Sequence, residues 1–149
     1  MPTLAVNKQA RHEYKILETY EAGVSLTGAE VKSVRAGHIN LKGCFATLKD
    51  GGLWLLNAHI SRYAAAGPQP GYDPVRTRAL LLHAREIGRL AGHLKEKGLT
   101  LIPLSIYTKG NRIKVELGLG RGNKQYEKRE IIKKRDIDRD IRSILKLSR

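Results

Sequence analysis

Five histidines, one cysteine and a few closely spaced acidic residues are the material from which catalytic or metal chemistry would have to be built here. His12, His38, His59, His83 and His93 are scattered, with no H-E-x-x-H or paired-ligand spacing, so zinc is not expected. Cys44 stands alone, which excludes an intramolecular disulfide or a thiolate metal site and fits a reducing compartment. Asp136, Asp138 and Asp140 have the alternate spacing that opens a calcium loop. The turn glycine is missing, however, and Leu147 holds the place of the bidentate glutamate, so a solvated helix face accounts for them better. Gly118, Gly120 and Gly122 offer bare amides to a phosphate but lead into a charged tail, not a crossover helix. A hinge is the expected reading, and a hinge whose amides touch phosphate remains compatible with it. No Ser–His–Asp or paired-carboxylate set assembles from local spacing, so neither catalysis nor a cofactor is expected.

The composition does support recognition of a polyanion. Lys and Arg number 28 against 14 Asp and Glu, a net charge of +14 on 149 residues. Such a field draws nucleic acid, whose binding rests largely on phosphate contacts and released counterions. The excess is uneven: residues 121–149 hold eleven basic and five acidic side chains, nearly half the net charge on a fifth of the chain. Hydrophobic residues make up 41%, enough to bury a core. No apolar run approaches the roughly 18–20 residues of a membrane span, and the first fourteen residues lack an apolar signal core. A cytoplasmic protein with no membrane partner is expected.

The elements that must carry this charge are mostly strands. Residues 14–20 are rich in strand formers and roughly alternate. Cys44 to Leu48, Asp50-Gly51-Gly52 and Leu53 to Leu56 read as a hairpin, because glycine supplies the positive φ of a tight turn. Ile102, Leu104 and Ile106 alternate up to Lys109-Gly110-Asn111, and Ile113, Val115 and Leu117 alternate after it. This predicts a second hairpin with all six apolar residues on one face. Pro103 points to an edge strand. Gly28 to Ala36 predicts a short helix ended by Gly37. Arg85 to Lys97 predicts a firmer one, with Ile87, Leu90, Ala91 and Leu94 at i, i+3, i+4 and i+7 and Gly98 as its stop. Short antiparallel strands with few helices indicate a small closed or partly open barrel. Regular structure is expected to end after Leu117. In the tail Ile137, Ile141, Ile144 and Leu145 recur at helical spacing, a stripe too thin to hold a lone helix in water, so order only on binding is expected.

Four stretches carry a resemblance to a known family. They are Asn7-Lys8-Gln9-Ala10-Arg11-His12-Glu13-Tyr14 with Gly28-Ala29-Glu30-Val31-Lys32-Ser33-Val34-Arg35-Ala36-Gly37, then Asp73-Pro74-Val75-Arg76-Thr77-Arg78, then Gly98-Leu99-Thr100 through Tyr107, and Gly122-Asn123-Lys124-Gln125-Tyr126-Glu127-Lys128-Arg129. In this order, from about Asn7 to Lys146, the chain resembles SmpB, the bacterial family that binds tmRNA. The resemblance implies a mostly β fold with a few helices: an OB-fold-like antiparallel barrel over 1–120 and a basic tail over 121–149, disordered when free and helical on the ribosome. It implies an RNA-binding adaptor of trans-translation that holds the tRNA-like domain of tmRNA, delivers it to stalled ribosomes and probes the empty mRNA channel with its tail. Its implied partners are tmRNA and the ribosome, at the decoding centre and mRNA channel, and indirectly EF-Tu and alanyl-tRNA synthetase. Action as a monomer is expected.

For residues, the resemblance implies tmRNA contacts by Asn7, Lys8, Arg11, His12, Glu21, Glu30, Lys32, Arg35, Leu80, Gly122 and Lys124. It implies ribosome contacts by Tyr126, Glu127, Lys128, Arg129, Ile144 and Leu145. Glu127 stands where aspartate is commoner, Asn123 where lysine is usual and Gln9 where a basic residue is frequent. Read on their own, Glu21 fits an ion pair with a neighbouring lysine equally well, Leu80 fits ordinary core, and Tyr14 fits core better than a stacking surface. Two other classes fit the charge: a structural ribosomal protein and a small nuclease.

Overall fold

The computed structural model describes residues 3–96, 98–122 and 141. Among residues 3–122 so described, nine strands and three α-helices follow one another as β1 (Thr3–Val6), α1 (Ala10–Glu13), β2 (Tyr14–Val24), α2 (Gly28–Arg35), β3 (Ile39–Asn40), β4 (Phe45–Lys49), β5 (Gly52–Leu56), β6 (His59–Ile60), β7 (Arg78–Leu81), α3 (Ala84–His93), β8 (Leu99–Lys109) and β9 (Arg112–Gly122). The main sheet runs β1-β8-β4-β5-β7-β2-β9, and β9 also pairs with β8, so the antiparallel pairings form a ring. Between β4 and β8 the ring is joined at a single pair, Ala46 with Leu101. The mostly β fold with few helices is thus as expected.

Both hairpins form where glycine permits. Asp50 and Gly51 take φ of 51° and 77° between β4 and β5, the two positive values that match the twist of a tight hairpin. Helix α2 forms where expected, with Ala36 as its C-cap and Gly37 beyond it at positive φ, but α3 is shorter than its apolar pattern suggests. Helix α3 ends at His93, not near Gly98, because Leu94 is its last apolar contact and the exposed Lys95 and Glu96 add no apolar burial to extend it.

Three predictions of register and ending are corrected. In β8, Ile102, Leu104 and Ile106 do not share a face. A bulge between Pro103 and Ser105 turns the strand over, so Leu101 and Ile106 enter the main core while Ile102 and Leu104 face outward. Strand β8 is also paired along both sides. Pro103 is tolerated because it sits at the bulge, between the stretch paired with β4 and the stretch paired with β1. A matching bulge after Ile16 turns β2 over, leaving Tyr14 and Ile16 outside and Tyr20 and Ala22 inside.

The third correction concerns the glycines of β9. Regular structure continues past Leu117 to Gly122, so Gly118, Gly120 and Gly122 are neither a hinge nor a phosphate cradle, and the strand crosses the expected boundary at residue 120. A Cβ would lie 2.9 Å from Leu104 Cδ1 at Gly118, 3.0 Å from Tyr14 Cβ at Gly120 and 2.9 Å from Tyr14 Cε1 at Gly122. Glycine is required because the outward side chains of β2 and β8 fold across β9. Together with Ala10 they make a small second core outside the ring.

Candidate nucleic-acid interface

Outside the ring, β2, β9 and β8 place a row of polar side chains side by side. Glu21 pairs in register with Glu116, and Gly23 pairs with Lys114, which pairs in turn with Tyr107. The Tyr107 hydroxyl donates to Glu21 Oε2, and Lys109 Nζ donates to Glu21 Oε1 at 3.2 Å. The hydroxyl, then the ammonium, hold the Glu21 carboxyl below its ordinary pKa, while burial and the adjacent carboxylate push the Tyr107 phenol up. Arg11 of α1 reaches over to Glu116 at 3.9 Å. Each carboxylate is thus met by a donor, and lone pairs of Glu21, whose side chain is 37% exposed, remain open to solvent.

Beside this row runs a groove of about 780 Å³. Val24, Leu26, Val31 and Leu82 form its apolar floor, and His83, Arg112, Lys114 and Glu21 form its rim. Leu81 lines it too and is 62% exposed. Arg35, from the last turn of α2, donates to the Asn111 carbonyl at 3.1 Å and extends the positive rim. An apolar trough edged by Arg112 and Lys114, with the carboxylates of Glu21 and Glu86 also on its lining, is suited to an unstacked base or ribose with phosphates along its border.

The residues that the resemblance nominates divide into two groups. Lys8, Arg11 and His12 are exposed along the arm and α1, and Lys8 shares a small hollow of about 200 Å³ with Lys42 and Asn40. Lys32 holds its ammonium 5.9 Å from the centre of the Tyr63 ring, and Arg35 and Glu21 line or flank the groove. The others point inward. Asn7 is buried; its amide donates to the Pro103 carbonyl at 3.0 Å, and its backbone N–H donates to the Leu104 carbonyl at 2.8 Å, pinning the arm to β8. Gly122 lies under the Tyr14 ring. Leu80 is 4% exposed and belongs to the core, so the outward leucine of β7 is its neighbour Leu81. Strand alternation alone permits either phase, because Leu80, Leu81 and Leu82 are identical in type. Lys124, Tyr126, Glu127, Lys128, Arg129, Ile144 and Leu145 lie outside the described residues.

Glu30 is the plainest correction to a direct RNA contact. It is 3% exposed, and its backbone and side chain complete a capping box with Thr27 at the start of α2. Its carboxylate accepts from Arg76 Nε at 3.1 Å and from Arg78 Nε and Nη2 at 2.8 and 2.6 Å. Arg78 is fully buried, and its remaining donors go to the Ala58, Arg76 and Pro74 carbonyls. The Tyr72 hydroxyl donates to the Ile60 carbonyl at 2.8 Å and accepts from Arg78 at 3.3 Å. Burial pushes the Glu30 pKa up, but Arg76, the Thr27 amide and Arg78 outweigh it and hold it down to about 2. The D-P-x-R-x-R stretch is therefore a clamp that fastens the loop before β7 to α2.

Among the described residues no three His, Cys, Asp or Glu side chains gather in a way that could hold a metal, and no helix is long and apolar enough to cross a membrane.

The chain is similar to known proteins over nearly its whole length. The family model described as SmpB protein matches residues 4–147. The SsrA-binding protein of Gloeothece citriformis is 53% identical over 140 residues, covering 94% of this chain and 90% of that one. Its counterpart in Chloroflexus aggregans is 54% identical over 143 residues, covering 96% and 90%. A chain from the solved structure "tmRNA-SmpB: a journey to the center of the bacterial ribosome" is 51% identical and superposes with a TM-score of 0.66 over 80% of this chain and 84% of its own.

Proposed function

The chain belongs to the SmpB family, and on that premise we propose that it is an adaptor of trans-translation that binds tmRNA and brings it to the ribosome. The observation that carries the reading is the Glu21 row with its adjoining groove: an apolar floor, cations on the rim and the part-exposed Glu21 carboxylate, on a chain of net charge +14. Phosphates of the tRNA-like domain lie along Arg35, Arg112 and Lys114, with Lys8, Arg11, His12 and Lys32 extending the track. Glu21 accepts from a 2′-hydroxyl or a base amino group, which phosphate-binding cations cannot do. Leu81 packs on the face of a sugar or base. Asn7, Glu30, Leu80 and Gly122 serve the same surface from beneath by holding the arm, the loop and the strands in place.

Residues 121–149 take the ribosomal part. In this reading Lys124 touches tmRNA at the root of the tail, Tyr126, Glu127, Lys128 and Arg129 face the decoding centre, and Ile144 and Leu145 lie in the mRNA channel, where the tail is helical. The protein acts as a monomer in the cytoplasm, performs no catalysis, and meets EF-Tu and alanyl-tRNA synthetase only through the RNA.

Filter binding with tmRNA and an unrelated RNA of equal length tests the reading. Tight, salt-sensitive binding to tmRNA alone is expected, and Lys114→Ala should lower the slope of log affinity against log salt by about 1. Equal affinities for both RNAs would defeat it. Stoichiometric co-sedimentation with every ribosome at high salt would favour a structural ribosomal protein instead.

A further inference from the structure

The β4–β5 hairpin carries apolar side chains on both faces. In its register Phe45 faces Leu56, Ala46 faces Leu55, Thr47 faces Trp54 and Leu48 faces Leu53. Alternation sends Ala46, Leu53 and Leu55 into the main core and leaves Phe45, Leu56 and Trp54 on the outer face. Antiparallel strands ordinarily turn polar residues outward. Here Phe45 and Leu56 are nonetheless almost wholly buried. Ile141 covers them. It is helical, fully buried, and shares one cluster with Phe45 and Leu56, with Trp54 packed against that cluster.

We propose that the outer face of the β4–β5 hairpin is a docking seat for the chain's own C-terminal segment, plugged by Ile141. We further infer that this stowed arrangement excludes the extended one in the ribosomal channel; that second step rests on the function proposed above, and the seat itself does not. Ile137, Ile141, Ile144 and Leu145 stand at i, i+4, i+7 and i+8 in the sequence. So thin a stripe does not hold a helix alone in water, and an apolar seat supplies the missing partner. Charge opposes the docking, because residues 1–120 carry seventeen basic and nine acidic side chains and residues 121–149 carry eleven and five. Added salt screens that repulsion and favours the stowed state, whereas it weakens every phosphate contact of the RNA-bound state. Ionic strength therefore moves the two states in opposite directions.

Trp54 is the only tryptophan, so its emission reports directly on the seat. The test compares the full-length protein, free of RNA and ribosomes, with Ile141→Asp and the milder Ile141→Ala, and uses amide NMR to verify that the strands stay folded. The expected result is a red shift of Trp54 emission and an acrylamide quenching constant raised by about twofold in Ile141→Asp, as apolar cover is lost, with Ile141→Ala between. In the unaltered protein, added potassium chloride should lower the quenching constant, and it should do so less in Ile141→Asp. Unchanged emission and quenching in both variants, with the strands folded, would overturn the proposal. So would quenching that rises with salt in the unaltered protein. Neither result bears on tmRNA binding, which the assay does not contain.

Discussion

Glu21 and Glu30 are two glutamates of one short stretch, both pointed to by the same resemblance, and the structure gives them opposite surroundings. Glu30 is sealed, with arginine donors and the Thr27 backbone amide satisfying its carboxylate and a fully buried guanidinium depending on it for charge balance. Glu21 sits on an open strand face with one hydroxyl and one ammonium, and part of its carboxylate meets water. A carboxylate whose partners are complete holds the fold. One with capacity left over, beside a groove, is available to a ligand.

The largest separation between them is in stability. Glu30→Ala strands the Arg78 charge in the interior and removes the capping box, so a loss of roughly 3–5 kcal/mol in urea unfolding is expected. A loss no greater than that of Glu21→Ala would erase the contrast. The same clamp makes the fold acid-sensitive. The folded pKa of Glu30 is about 2 against an ordinary 4.5, so its contribution is complete above pH 4.5 and is withdrawn as pH falls toward 2. The shift corresponds to about 3 kcal/mol. Acid titration of stability should show this fall in the natural protein and a flatter profile in Glu30→Gln.

The two leucines of β7 extend the contrast at lower amplitude. Leu80→Ala leaves a core cavity and should cost about 2–4 kcal/mol, while Leu81→Ala should cost under about 0.5 kcal/mol and weaken tmRNA binding instead. Similar melting for both variants would show that the outward phase of the strand is wrong. Glu21→Gln is also mild in stability, at less than about 1 kcal/mol for an exposed ion pair. Its tmRNA affinity should nevertheless fall by roughly tenfold, since it removes a charged acceptor. Undiminished RNA binding would leave Glu21 as nothing more than a partner of Lys109.

Much of this was legible from residues alone. The Asp50-Gly51 and Gly110-Asn111 turns, the start of α2, and the concentration of positive charge depend on neighbours a few positions apart or on composition, and both are written directly in the order of residues. The resemblance added Glu21 to that reading, whereas Lys114 and Arg112 came to the groove only through the fold. Leu81 escaped notice because three successive leucines carry no phase, and the Phe45–Leu56 seat because nothing in the hairpin's own residues says what lies against its outer face.

What only the tertiary structure decided has a common cause, which is distance along the chain. Arg76 and Arg78 reach Glu30 across more than forty residues, the bulges in β2 and β8 choose which aliphatic residues face in, and Tyr14 crosses β9 closely enough to demand glycine there. Local preference specifies that a strand or turn forms. Register, burial and the completeness of a polar group's partners depend on which distant segment arrives beside it, and that is settled by packing the whole ring at once.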